Sequence, residues 1–353
     1  MRVLLIKTSS LGDVIHALPA VTEACQQIPG IRFDWMVEEA FAEVPGWHPG
    51  VDRVIPVAIR RWRKTPLQAL RSSEWRALRE TLKIADYDLV IDAQGLLKSA
   101  MLVWLVGLPA AGYDRHSIRE PFASRFYRHR YPVSRQLHAV ERIRHLFAAA
   151  LDYPLADRSP GYGAELGGPT DQGSAEAGNS LVWLHGSTWA SKLWPEKNWV
   201  KLSRLAVDAG YEVLMPWGND RERERAKRIA THVDGIALLP RMTLTELASV
   251  LRRSLGVVGV DGGLAHLAAA MSVPTVCLYG ATSPKLTGTW GGRCLNLQGE
   301  YQCVPCLKKE CIHLAAENTG QPCLDPLTPE MVMARLLDQI APDPEAQVQQ
   351  KKP

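Results

Sequence analysis

Along the chain, short apolar runs rich in Val, Ile and Leu alternate with longer segments whose apolar residues recur at helical spacing. In the first half, the runs at 2–7, 33–38, 54–57 and 88–93 predict strands, and the patterns at 14–27 and 74–85 predict helices. Residues 161–180 (GYGAELGGPTDQGSAEAGNS) then turn to Gly, Pro, Ser, Ala and acid, the composition of a linker. A second series follows, with strands predicted at 181–185, 212–217, 236–239, 257–260 and 275–279. Strands alternating with helices build a parallel sheet covered on both faces. The pattern therefore predicts two doubly wound, Rossmann-like α/β domains at 1–165 and 181–327, with 166–180 as linker. Residues 328–341 read as a C-terminal helix that could pack back toward the N-terminal domain, and the polar, Pro-containing 342–353 as a disordered tail. Two such domains facing each other would leave a ligand cleft at the C-terminal ends of their strands. No internal repeat is visible.

Composition narrows the class without choosing a function. With 46% hydrophobic and 22% charged residues, the chain of 353 is ordinary globular protein, which excludes disordered, collagen-like and coiled-coil classes. The net charge of +4 is too mild by itself to argue for nucleic acid. Its distribution is more informative. Residues 1–165 hold 22 Lys and Arg against 18 Asp and Glu, whereas 166–353 hold 19 of each, so the whole excess lies in the first half. Within it, 115–145 carries eight Arg and four His against Glu120 and Glu141, and 60–64 reads RRWRK. The apolar stretch 100–112 is too short to span a bilayer and contains Pro109. The run 2–7 reads as a buried strand rather than the core of a secretion signal. With seven cysteines, an odd number, the expectation is reduced thiols in a cytoplasmic protein.

The missing motifs matter as much. There is no G-x-G-x-x-G, no P-loop, no G-x-S-x-G and no H-E-x-x-H, which removes the usual warrants for NAD enzymes, P-loop NTPases, serine hydrolases and zincins. Candidate chemistry sits instead at three predicted strand ends. The first strand runs into KTSSLGD (7–13), where Asp13 either charges a helix start or faces a ligand as a base. The segment 257–266 (VVGVDGGLAH) passes from a buried strand through Gly262 and Gly263 into a helix carrying His266. Its glycines let the backbone approach a ligand, and its helix N-terminus offers N–H groups to a phosphate. The third, 184–188 (LHGST), is followed by Lys192, and hydroxyls plus one lysine suit a pyrophosphate. Asp86-x-Asp88 precedes its strand, at the wrong sheet edge for a ligand site, and reads as a loop. Cys303, Cys306, Cys311 and Cys323, with His313, have a spacing open to two readings, a structural zinc site or free structural thiols.

At these residues the chain resembles the ADP-heptose:lipopolysaccharide heptosyltransferase family. The matching segments are 3–13 (VLLIKTSSLGD), 30–39 (GIRFDWMVEE), 54–64 (VIPVAIRRWRK), 90–99 (VIDAQGLLKS), 119–124 (REPFAS), 138–142 (HAVER), 194–195 (WP) and 261–266 (DGGLAH), spread over most of 1–280. The resemblance implies a GT-B fold, with the acceptor on the N-terminal domain and ADP-heptose on the C-terminal one. It implies inverting transfer of L-glycero-D-manno-heptose to the first Kdo of Kdo2-lipid A, at the inner face of the cytoplasmic membrane, with no cofactor and no nucleic-acid partner. The branch that adds heptose to heptose and, in another class, a nucleotide-sugar epimerase of the same fold are the alternatives. Residue by residue, the resemblance makes Asp13 the general base and gives Ser187, Thr188 and Lys192 the pyrophosphate, Lys192 offsetting charge on the departing ADP. Glu222 and Met242 fall at adenosine contacts, and Asp261, Gly262, Gly263 and His266 at the donor loop. Ser10, Gly12, Arg60, Arg61, Arg63, Lys64, Lys98, Arg119 and Arg142 would meet the anionic acceptor. Gly262 departs from the family pattern, which has Thr or Ser there, and so removes one hydroxyl from the donor loop.

Overall fold

The computed structural model describes residues 1–84, 86–158, 160–163, 178–313 and 321–341. Most of the predicted linker and the whole predicted tail lie outside them. The chain divides into two compact units, Met1–Gly168 and Pro169–Pro353.

The first unit runs β1 (Arg2–Ile6), α1 (Leu11–Ile15), α2 (Leu18–Gln27), β2 (Arg32–Glu38), α3 (Glu43–Gly46), β3 (Val51–Val57), α4 (Ile59–Trp62), α5 (Pro66–Arg71), α6 (Ser73–Ile84), β4 (Leu89–Asp92), α7 (Leu97–Val106), β5 (Ala110–Tyr113), β6 (His129–Tyr131) and α8 (Ala139–Leu151). Its six strands are all parallel, in the order β3-β2-β1-β4-β5-β6. The chain builds outward from β1 to β3, then returns to the other side of β1 with β4. Loops leaving β1 and β4 therefore open at the switch point where such sheets bind ligands.

The predicted helix over 14–27 is two helices. Pro19 has no N–H to give the Ile15 carbonyl and its ring would crowd it, so α1 ends and α2 starts afresh with the proline in its first turn. β5 and β6 escape the apolar pattern. β5 reads AAGY because the Tyr127 ring lies against it, and a Cβ on Gly112 would stand 2.4 Å from that ring. α8 packs on α2 and is tied to it by a buried ion pair. Arg144 meets Glu23 at 2.8 and 2.9 Å and also reaches Glu141 and the Ala156 carbonyl.

The second unit runs β7 (Ser180–Leu184), α9 (Glu196–Asp208), β8 (Glu212–Met215), α10 (Asp220–Ala230), β9 (Ile236–Leu238), α11 (Leu244–Arg253), β10 (Gly256–Val260), α12 (Gly263–Ala270), β11 (Thr275–Tyr279), α13 (Pro284–Thr287), β12 (Cys294–Gln298) and α14 (Pro329–Ile340). Its sheet, β12-β11-β10-β7-β8-β9, is also wholly parallel. Here the switch point lies between β7 and β10. The core gathers Trp183, Trp194 and Trp199, the last two edge to face at 5.2 Å, an arrangement worth about 1 kcal/mol beyond area burial. α14 lies against α9, β10, β11 and β12, and the Leu327 carbonyl before it accepts the Trp194 indole N–H at 3.1 Å. No helix among the described residues is long and apolar enough to cross a membrane.

Candidate functional site

In the first unit the site grows from the end of β1. Apolar packing buries 3–6 completely, and the chain then releases Lys7-Thr8-Ser9-Ser10 at the switch point. The loop is latched from β4. Asp92 accepts the Gln94 and Gly95 N–H groups at 2.8 and 3.1 Å, and the Gln94 side-chain carbonyl in turn accepts those of Thr8 and Ser9 at 2.9 and 3.0 Å. Buried Asp92 is held from its other oxygen by the Tyr127 hydroxyl, and burial pushes its pKa up.

Asp13 stands at the first turn of α1. Its Oδ2 accepts both the Ser10 N–H (2.6 Å) and the Ser10 hydroxyl (2.9 Å). Its Oδ1 lies 3.9 Å from the Lys7 ammonium, and the side chain is 42% exposed. One oxygen thus does the capping that the sequence allowed, and the other lies toward Lys7 in a side chain that stays partly exposed. Buried Lys7 is anchored to the Ala93 carbonyl at 3.0 Å; burial lowers its pKa, and Asp13 opposes that shift. Lys98, half-buried at the start of α7, donates to the Ser9 hydroxyl at 2.6 Å. Burial lowers its pKa too, and Glu38, Arg60, Asp13 and Arg63 all act on its charge. Arg60 is placed by its N–H on Glu38 (3.0 Å) and stacks over Phe41.

The predicted acceptor residues therefore separate. Ser10, Gly12, Asp13, Arg60, Arg63 and Lys98 cluster about the β1 loop. Arg142 stacks over Tyr113 and donates to the Ser117 carbonyl at 2.8 Å, close enough to bear on Lys7. Arg61 turns to Glu39 (3.1 Å) and Glu74 (3.0 Å), and Lys64 and Arg119 lie exposed. Lys7 and Gln94 are the residues that sequence reasoning missed. A lysine at a buried strand end and the first polar side chains after β4 were the available signals.

In the second unit the ends of β7 and β10 meet. Asp261 leaves β10 almost fully buried, with Lys192 at 2.6 Å, the Thr282 hydroxyl donating to it, and His266 Nε2 at 3.7 Å. Burial works to raise its pKa, but the hydrogen bond from His266 and the Lys192 charge outweigh it and hold the carboxyl down to about 2. Lys192 also lies over the Trp189 ring at 4.7 Å. Gly262 caps α12, whose first N–H groups open beside this ion pair. Gly262 has extended backbone (φ −160°), and a Cβ there would lie 3.5 Å from the Gly186 carbonyl, an ordinary contact. Within the protein, therefore, neither the backbone nor its neighbours require a glycine at this position. At Gly186, by contrast, a Cβ would stand 2.7 Å from the Glu222 side chain. A cavity of about 750 Å³ is lined by Gly186, Ser187, Thr188, Glu222 and neighbours on 219–225. Met242, half-buried in the loop before α11, is not part of that lining. Behind it, burial and then the Arg225 charge lower the His185 pKa to about 4.

The cysteine-rich segment does something the sequence did not suggest. Burial and the thiols of Cys311, Cys303 and Cys306 raise the Cys323 pKa to about 11. Among the described residues, no three His, Cys, Asp or Glu are placed to hold a metal ion, and His313 packs against Tyr301 instead. What the segment provides is a strap. Leu307 N–H donates to the Ala281 carbonyl (2.8 Å), Ser191 donates its N–H to Lys309 (3.0 Å) and its hydroxyl to Lys308, and Gln321 donates to Ala190 (2.7 Å). The bonds to Ser191 and Ala190 hold the 190–192 turn that carries Lys192, and the Leu307 bond ties the strap to the loop after β11.

Residues 75–316 match the family model for glycosyltransferase family 9 (heptosyltransferase). Lipopolysaccharide heptosyltransferase 1 of Pseudomonas aeruginosa is 53% identical over 347 residues, 95% of this chain and 97% of its own. The protein of that name from Escherichia coli K12 is 48% identical over 82% of this chain and 91% of its own, whereas E. coli lipopolysaccharide heptosyltransferase 2 is 23% identical. Among solved structures, E. coli heptosyltransferase WaaC with ADP superposes with a TM-score of 0.82 at 42% identity, over 97% of this chain and all of that one.

Proposed function

Because the chain belongs to glycosyltransferase family 9, the heptosyltransferases, we propose that it moves L-glycero-D-manno-heptose from ADP-heptose to the first Kdo of Kdo2-lipid A, with inversion, at the cytoplasmic face of the inner membrane. The GT-B type fold and the glycosyltransferase class are those of its relatives. The heptose-on-heptose and epimerase readings fit this similarity less well. The observation that carries the reading is Asp13: one carboxylate oxygen is fixed by Ser10, the other takes no hydrogen bond from Ser10 and lies 3.9 Å from the Lys7 ammonium in a partly exposed side chain, and Lys98, with Arg60 and Arg63 near it, stands at the same loop.

An inverting transfer needs one base to take the acceptor hydroxyl proton as the anomeric carbon, oxocarbenium-like, loses its leaving group. Asp13 Oδ1 is that base, and Ser10 fixes its direction. Lys98, Arg60 and Arg63 attract the carboxylate and phosphate groups of an anionic acceptor. On the donor side, Ser187 and Thr188 bind the pyrophosphate, and the α12 N-terminus with Gly262, Gly263 and His266 addresses phosphate and heptose. Glu222 and Met242 contact the adenosine. Lys192, kept in place by Asp261 and the strap, offsets the charge that develops on ADP. With that cation supplied by the protein, the reaction is read as needing no metal, and a chelator should leave the rate unchanged.

The test is incubation with ADP-heptose and Kdo2-lipid A followed by mass measurement of the product. A gain of one heptose supports the reading; no gain overturns it. In Asp13→Asn the amide oxygen still accepts from Ser10, so the loop is preserved while the base is lost. Turnover should fall by about 10²–10⁴-fold with ADP affinity within twofold. A rate above one tenth of the original would place the base elsewhere.

A further inference from the structure

α7 (LKSAMLVWLV) is apolar around nearly its whole circumference, a pattern that belongs to a buried helix. Only one side is buried: Ser99, Ala100, Leu102 and Val103 face the sheet. Leu97, Met101 and Trp104, at i, i+4 and i+7, form a stripe on the other side and are 41%, 65% and 74% exposed. The 121–126 turn packs beside α7 and adds Phe122, which is also exposed. On α5, two helices away through α6, Leu67 and Leu70 are exposed as well. Isolated apolar residues at a surface are normal, but an exposed apolar stripe along one helix that ends in a tryptophan marks an interaction surface.

The charges around the stripe indicate what it meets. Segment 119–128 carries exposed Arg119, Arg125 and Arg128, with Arg125 stacked over Phe122 at 4.8 Å. The acid among them, Glu120, is occupied by the Leu97 N–H at 2.7 Å. Beyond α6 and α5 lie the exposed cations Arg60, Arg63 and Lys64. An apolar helical face with a Trp, rimmed by arginines, matches an anionic bilayer surface, where the apolar side chains enter the headgroup boundary and the cations meet lipid phosphates. The N-terminal end of this helix carries Lys98, which touches the catalytic loop at Ser9.

We infer that the outward face of α7, with Phe122 and the arginines of 119–128, docks the enzyme on an anionic phospholipid bilayer and so brings the β1 loop to the headgroup level of a lipid-linked acceptor. The inference deepens the acceptor reading above and rests on it only for the purpose of docking; the docking itself is measured without turnover.

The experiment sediments full-length protein with vesicles of phosphatidylethanolamine and phosphatidylglycerol, and with phosphatidylcholine vesicles as the neutral control. Wild-type protein should partition at least tenfold more strongly to the anionic vesicles. The exposed substitutions Met101→Gln and Trp104→Gln together should cut that partition at least tenfold, and Arg125→Gln by about fivefold. Transfer to a deacylated, water-soluble Kdo acceptor should stay within twofold in Met101→Gln/Trp104→Gln, while transfer to acceptor embedded in vesicles falls. Vesicle binding that survives Met101→Gln/Trp104→Gln overturns the inference. So does equal loss of transfer to both acceptors, which would assign the face to acceptor capture, or a change from dimer to monomer in sedimentation velocity, which would assign it to a second copy of the chain. Failure of wild-type protein to transfer heptose to either acceptor, with vesicle binding intact, overturns the functional reading and leaves the docking face standing.

Discussion

Replacing Lys192 with Met removes the cation 2.6 Å from Asp261 and leaves that carboxylate buried. The Asp261 pKa lies near 2 instead of 3.8, so its surroundings favour the anion by about 2 kcal/mol, net of burial. His266 and Thr282 remain as partners, so Lys192 supplies part of that sum, and the expected loss of stability is about 1–2 kcal/mol. The larger effect should fall on transfer. A preorganised charge aimed at a developing anion is typically worth about 3–4 kcal/mol, so kcat should fall by about 10²–10³-fold while ADP affinity falls by roughly tenfold. Turnover is read by product mass, ADP affinity by calorimetry and stability by urea unfolding. Adding Asp261→Asn removes the stranded charge and should restore the unfolding midpoint without restoring turnover. If turnover returns with stability, the lysine only steadies the loop, and its assignment to the leaving group is refuted.

Two further outcomes follow from the same structure. Gly262→Ser should fold normally, because the backbone is extended and the new Cβ makes ordinary contacts, and its hydroxyl should tighten ADP-heptose binding about two- to tenfold; weaker binding by calorimetry would show that the loop needs the space. Acid should destabilise both units in one window. Burial lowers the pKa of His48 in the first unit and of His185 in the second to about 4, against about 6.5 when unfolded. The neutral forms therefore add stability above pH 6.5 that is lost as pH falls toward 4, on the order of 3 kcal/mol for each histidine. Urea midpoints at pH 7 and pH 5 test this, and equal midpoints would contradict it.

What could be read from the chain followed the strength of local signals. β1 and β10 are runs of buried apolar residues that open onto polar ones, and β11 falls at the predicted 275–279. β5 and β6 could not be read, because their residues answer to Tyr127 and to pairing at a sheet edge rather than to a local pattern. The helix break at Pro19 was legible in principle, since proline at that spacing always costs the preceding turn. The candidate site was legible as strand-end loops, because in a parallel doubly wound sheet the loops at the C-terminal strand ends are where ligands bind. Its connections were not. The Lys192–Asp261 pair spans 69 positions, and the Gln94 latch on Thr8 spans 86. Such contacts depend on strand order, which no window of sequence contains. The strap from 308–309 to Ser191 is made by main-chain carbonyls, which leave no mark in side-chain type.

The Arg144–Glu23 pair has a consequence for how this sequence can change over time. Each residue is almost wholly buried: losing Arg144 leaves the Glu23 carboxylate without its counter-charge in the core and costs about 3–5 kcal/mol, and losing Glu23 strips the buried guanidinium of its deepest partner, leaving it Glu141 and a backbone carbonyl. Exchanging both for apolar residues of similar volume is often neutral, and sometimes stabilising. The two end states can then be equally fit while every single-step route between them passes through a poorly folded protein. A lineage holding this pair keeps it because the way out is barred, whatever the pair itself adds to stability.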